Sequence, residues 1–147
     1  MDFVPFRLNR LASEVSQRLS DIYRDRFGLE IPEWRIVATL GPDRRCTAQY
    51  VAESTRMHKT RVSRAAARLA ELGLLQRGSS AADGREVLLR LSAKGRRVYA
   101  ALVPLALERQ RLLMACLEPA EAAAFLHGLA RLERSLGLPQ SGDPAPG

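Results

Sequence analysis

The sequence has little of what metal centres, disulfide frameworks and membrane spans require. It holds two cysteines, Cys46 and Cys116, and two histidines, His58 and His127. The cysteines are too few and too far apart for a disulfide framework or a zinc cluster, and neither histidine has a second ligand at i+3 or i+4. Reduced thiols and no bound metal are therefore expected. No apolar run approaches the length of a membrane span, and the opening MDFVPFRLNR lacks both the basic start and the uninterrupted apolar core of a signal peptide. A cytosolic protein is expected. Also missing are a nucleophile elbow, a phosphate-binding loop and a visible carboxylate pair, which leaves an enzyme without groups to do its chemistry.

Basic charge is abundant, and its position matters more than its amount. The 147 residues carry a net charge of +7. Between Arg44 and Arg97, thirteen Lys/Arg stand against four Asp/Glu, a balance of +9, whereas the two flanks together carry ten against twelve, a balance of −2. A surface charged only for solubility has no need of this segregation; a segment laid against phosphates releases a counterion for each charge it neutralises. The middle of the chain is thus expected to meet a polyanion.

At 46% apolar content the chain can bury one core but is too short for two ordinary domains. Leu8, Leu11, Val15, Leu19 and Ile22 recur at helical spacing over about 6–27 and end at Gly28, and Pro32, Trp34, Ile36, Val37 and Leu40 mark a short second helix stopped at Gly41 and Pro42. Thr47 can cap a third helix, a turn is expected around Ser54, Thr55 and Arg56, and a fourth helix spans roughly 58–72 before Gly73. Leu74 and Leu75, a polar stretch, and then Val87 to Leu91 predict a β-hairpin. Ser92 can cap a long helix to about Leu117, bent at Pro104, and a last helix begins near Pro119 and ends at Gly137. The proline- and glycine-rich 138–147 predict a disordered tail.

The fourth helix carries the functional signal. On a wheel of 100° per residue, Val62, Ala65, Ala66, Leu69 and Leu72 fall on one side, with Thr60, Ser63, Arg64, Ala67 and Arg68 opposite. Arginine can bond guanine bidentately, hydroxyls can bond bases or phosphates, and Ala67 permits close approach; Lys59 and Arg61 lie on the flanks, where phosphate contact is natural. Alone, such a helix is commonly just a solvated surface. A short helix, a tight turn and a helix with this face together form a helix-turn-helix, and the hairpin that follows would be its wing.

Residues 83–95, which read DGREVLLRLSAKG, closely resemble the wing signature of the MarR family: an Asp, any residue and an Arg before a strand, then a Ser/Thr-x-x-Gly helix start. Thr60 to Arg64, followed by Leu69, Leu72, Gly73 and Leu74, resembles that family's recognition helix. The resemblance spans nearly the whole chain except the tail. It implies a mainly α fold with a small β-hairpin wing: a winged helix-turn-helix over about 30–92 within a domain of 1–137, with helices in 1–29 and 93–137 forming a dimerisation region. It further implies a homodimeric transcription regulator of double-stranded DNA, commonly a repressor, with Arg85 entering the minor groove and Asp83 orienting it. Thr47, Gln49 and Arg77 complete the expected DNA-binding set with Lys59, Thr60, Arg61, Ser63, Arg64 and Arg68.

Family members commonly hold an aromatic acid or related anion between the dimerisation helices and the winged-helix body. Trp34 and Arg35, with Arg10 and Arg18 on the first helix, are the expected seat for such an effector, an aromatic acid or its thioester. Ordinary packing of Trp34 and ion pairing of Arg35 is the competing expectation. Cys46 follows Arg44 and Arg45 at a helix start, a setting that can activate a thiol for redox sensing, although the hydroperoxide-sensing branch of the family carries its reactive cysteine near the start of the first helix. A winged helix serving as a protein-interaction module is the remaining alternative.

Overall fold

The computed structural model describes residues 2–79 and 87–139. Helices α1 (Val4–Phe27) and α2 (Ile31–Leu40) meet at a corner, strand β1 (Cys46–Thr47) leads into α3 (Ala48–Thr55), and α4 (Lys59–Glu71) follows. Strands β2 (Leu75–Ser79) and β3 (Val87–Leu91) precede the long α5 (Ala93–Met114) and the last helix α6 (Pro119–Ser135).

Each boundary has a local cause. Gly28 closes α1 in the left-handed region at φ 63°, which glycine adopts without strain. Glu30 and Glu33 form a reciprocal capping box at the start of α2, and Glu118 and Glu121 repeat it at α6. Thr47 Oγ1 accepts from the Tyr50 N–H at 3.0 Å, as expected of a cap for α3. The turn between α3 and α4 falls later than the sequence suggests. Ser54 and Thr55 remain helical, with Thr55 Oγ1 donating to the Val51 carbonyl at 2.6 Å, and the chain reverses at Arg56, which takes a left-handed φ of 54°. His58 then caps α4 through Nδ1, which accepts from the Thr60 N–H.

The wing contains a strand that the sequence does not announce. The order is β1-β3-β2, all antiparallel, with Cys46 opposite Leu89 and Leu75 opposite Leu91. Two residues are too short for an alternating pattern to be read, so β1 is defined by its partner. The base of the wing is bolted to both neighbouring helices. Ser92 Oγ donates to the Gly73 carbonyl and accepts from the Gly95 N–H, while Lys94 Nζ donates to the Leu72 carbonyl at the end of α4. At Gly95 an added Cβ would stand 2.1 Å from the Leu74 carbonyl oxygen. The Ser-Ala-Lys-Gly run is thus a joint, each polar or small residue meeting a different backbone group.

The core gathers Leu29, Ile36, Val37, Leu40, Val51, Val62, Leu69, Leu89, Leu91 and Leu102, all nearly inaccessible to solvent. It lies where α2, α3, α4 and the sheet converge, with α5 laid across it. α5 runs through Pro104 as one helix and stops at Met114 rather than near Leu117, because the Ala115 N–H bonds back three residues to Leu112 and tightens the turn. No single described helix is long and apolar enough to cross a membrane.

The ends of the chain are packed differently. α6 buries none of its residues, and Leu126, Leu129 and Leu132 on it are exposed, as are Phe6, Leu8 and Leu11 on α1 and Leu107, Leu112 and Leu113 on α5. An exposed leucine is ordinary, but apolar stripes on three helices of a small protein are not.

Candidate nucleic-acid interface

α4 presents its polar face to solvent as the wheel requires. Val62, Ala65, Ala66 and Leu69 are buried, and Lys59, Thr60, Arg61, Ser63 and Arg64 are exposed. The cationic face needs no buried counter-charge, so its arginine and lysine heads are available to a ligand in water. α3 braces α4 from behind through Tyr50 and Val51, which are buried while Gln49 is exposed.

Four of the expected DNA-binding residues border one hollow between α3, α4 and the sheet. Gln49, Lys59, Ser63 and Arg77 line this space of about 540 Å³, with Leu89 at its floor. Arg77 also reaches across from β2, its Nη2 donating to the Ser63 carbonyl at 3.5 Å, which steadies the wing against α4. Gln49 Nε2 donates to Glu53 at 3.0 Å, and the Thr47 oxygen accepts the Tyr50 N–H in the α3 cap, which leaves its own O–H as a donor next to Gln49. Asp83 and Arg85 lie outside the described residues.

Arg68 departs from its expected place. Its Nη2 donates to the Gly28 carbonyl at 3.4 Å and its Nε stands 3.7 Å from Glu33 Oε1, so its head is engaged at the α1–α2 corner. A wheel sorts Cα directions, and a side chain as long as arginine can leave the sector in which its Cα lies.

The sheet adds cations that the helix pattern could not supply. Arg45 and Arg90 join Arg77 around a second hollow of about 530 Å³ on the wing, with Arg90 Nε donating to Gln76 Oε1 at 2.8 Å. Period-two alternation through Leu89, Arg90 and Leu91 is the signal that could have found Arg90; Arg45 is brought there only by the pairing of β1 with β3.

The expected effector residues are not assembled. Trp34 stacks on Tyr23, centroids 5.6 Å apart and planes 19° from parallel, and the void beside them is about 10 Å³, with no charged residue in its lining. Arg35 reaches Ser16 Oγ at 3.5 Å, Arg18 pairs with Glu14 at 2.7 Å on the surface, and Arg10 lies over the Phe6 ring at 6.0 Å. Within this chain Trp34 is a packing residue, and burial beside it pushes the Tyr23 phenol up, against the pull of Arg35. A larger hollow of about 650 Å³ opens at the far end of α2, bordered by Thr39, Arg44, Tyr50, Ser54, Tyr99 and Pro139. Ser54 Oγ is buried there without a hydrogen-bond partner among the described residues.

Cys46 is also not the exposed, activated thiol that its neighbours in sequence suggest. It is 1% exposed inside the core, and burial raises its pKa more than Arg44 lowers it.

A braced helix with a cationic outer face, followed by an antiparallel wing locked to its end, defines a winged helix-turn-helix protein of the DNA-binding class. The comparisons with known proteins agree. The family model described as "MarR family" matches residues 27–86. A MarR/EmrR family transcriptional regulator from Acinetobacter sp. ADP1 is 25% identical, with 91% of this chain and 94% of that one covered at a TM-score of 0.80. A probable transcriptional regulator from Pseudomonas aeruginosa is 26% identical, with 88% and 99% covered and a TM-score of 0.71. BpsR from Bordetella bronchiseptica, whose DNA binding is regulated by 6-hydroxynicotinic acid, is 24% identical, with 86% and 98% covered and a TM-score of 0.71. No curated protein matches significantly in sequence. The family match covers residues 27–86, and the fold of the chain is that of MarR family transcription regulators.

Proposed function

We propose that the protein is a cytosolic, homodimeric repressor that reads a pseudo-palindromic operator and is released by a small aromatic or anionic effector. The observation that carries the DNA-reading part is the exposed cationic face of α4 beside the hollow that Gln49, Lys59, Ser63 and Arg77 share. In this reading Thr60, Ser63 and Arg64 meet base edges, Lys59, Arg61, Arg77, Arg45 and Arg90 meet phosphates, and Asp83 and Arg85 form the minor-groove contact that the wing signature implies. The winged helix-turn-helix occupies about 30–92, and the flanking helices to residue 137 dimerise. The exposed apolar stripes of α1, α5 and α6 support this arrangement, since a second copy would cover them. Two-fold symmetry then sets the half-sites roughly 10 bp apart.

For the effector we favour the hollow at the end of α2 over the Trp34 neighbourhood. Its volume suits a small aromatic acid, Arg44 supplies a cation, and Tyr50 and Tyr99 supply rings. The Bordetella protein's response to 6-hydroxynicotinic acid supports this ligand class. Redox control through Cys46 is disfavoured by its burial.

The test is to bind the purified protein to its own upstream DNA against unrelated duplexes, then to screen aromatic acids and their coenzyme A thioesters for release. Selective binding lost on adding one such compound is expected. Equal affinity for every duplex would instead favour a protein-interaction module, and release unaffected by Arg44→Ala would remove the hollow from the effector reading.

A further inference from the structure

Arg68 links three elements through one guanidinium. The Gly28 carbonyl at 3.4 Å ends α1, and the Glu33 carboxylate at 3.7 Å belongs to the first turn of α2. Glu33 is only 7% exposed and also accepts from the Glu30 N–H that opens α2. Its carboxylate is therefore fixed at both ends, and a buried carboxylate stripped of its cation is costly. Arginine suits this place because its planar fork offers several donors at fixed angles, whereas the single ammonium of lysine cannot hold a carbonyl and a carboxylate in the same arrangement.

Position along α4 separates Arg68 from the reading end. It lies nine residues after Lys59, roughly 13 Å along the helix axis at 1.5 Å per residue. A recognition helix touches base edges chiefly with its first turns. α1, on the other side of the link, carries the exposed Phe6, Leu8 and Leu11 with which a second copy would pack. The contact thus runs from the helix that reads DNA to the helix that fixes where the partner's reading helix stands.

We infer that Arg68, with Glu33 and the Gly28 carbonyl, is a positioning residue that sets the tilt of α4 against α1 and thereby the half-site spacing that the dimer accepts. Its guanidinium does not neutralise a phosphate. This inference rests on the dimeric, DNA-reading function proposed above.

The experiment uses the full chain and a duplex selected from a random pool by the wild-type protein, together with versions whose half-sites are moved one base pair closer or further apart. Binding is measured across a salt series for wild type, Arg68→Ala, Arg68→Lys, Glu33→Gln and Lys59→Ala, with thermal melts to confirm that each is folded. In Arg68→Ala the preference for the selected spacing over its neighbours should shrink by at least about threefold. The slope of log K against log salt should stay at the wild-type value. Arg68→Lys, which keeps the charge but loses the fork, and Glu33→Gln, which keeps the volume but loses the ion pair, should shrink the preference in the same way. Lys59→Ala should do the reverse, lowering the slope by about one and leaving the spacing preference intact. An Arg68→Ala slope lowered by about one, or a spacing preference that survives both Arg68 variants, overturns the inference. Wild-type protein that selects no paired half-sites overturns the dimeric reading and this inference with it, so the two failures are distinguishable.

Discussion

Gly95 sits where the first turn of α5 passes over the end of the α4–β2 connection, and a methyl group there would strike backbone rather than a side chain that could move aside. Overpacking against backbone belongs at the upper end of the usual range, so Gly95→Ala should cost about 3 kcal/mol, lowering the thermal midpoint by roughly 6–12 °C. Gly78→Ala is the control in the same melts, since a Cβ there meets nothing within 4 Å. Cys46 makes a second prediction at this scale. Its thiol is held above the ordinary 9.0 by burial, so above pH 9.0 the unfolded chain loses that proton while the folded chain keeps it. The stability present below pH 9.0 is therefore lost as pH rises through the folded value, and Cys46→Ser should flatten that decline in denaturant titrations. The same variant should keep its effector response. In native protein a thiol reagent should label the exposed Cys116 and spare Cys46.

The elements divide the DNA-binding work, and single substitutions should separate it. Arg64 stands exposed on α4 as a base-reading candidate, so Arg64→Ala should weaken the selected duplex by about 1–3 kcal/mol and relax preference at one position. Competition between matched and mismatched duplexes reads both effects. Helices were legible in the sequence because their signals are local: a periodic face, a cap such as Thr47 or Ser92, and a terminating Gly28 or Gly73. The wing strands at 75–79 and 87–91 were legible for the same reason. What escaped depends on pairing or on side-chain reach. β1 exists only because β3 lies beside it, Arg45 enters the basic surface only through that pairing, and Arg68 leaves its helical sector to meet residues forty and thirty-five positions earlier. Burial of Cys46 was hidden likewise, since its cationic neighbours in sequence suggest a reactive thiol while its neighbours in space are the core.

The whole molecule is a well-filled middle with under-packed ends. If the stripes on α1, α5 and α6 meet a second copy, a charge placed among them should separate the copies. Leu129→Glu on α6 should sediment as a monomer at micromolar concentration while the wild type sediments as a dimer. It should also lose far more affinity for a paired operator than for a single half-site, because only the former draws on the linkage between two reading helices. A wild-type monomer under the same conditions would sink the proposal.

α6 has a consequence for how the chain acquires its shape. A seventeen-residue helix that buries none of its own residues has little beyond propensity and its capping box to hold it, and isolated helices of that length are marginal in water. The core closes without any α6 residue, and α6 should gain stability when something covers Leu126, Leu129 and Leu132. Amide hydrogens of α4 should therefore exchange slowly at any dilution, and those of α6 should exchange faster as the protein is diluted. During synthesis the reading head would be complete before the last helix found its place.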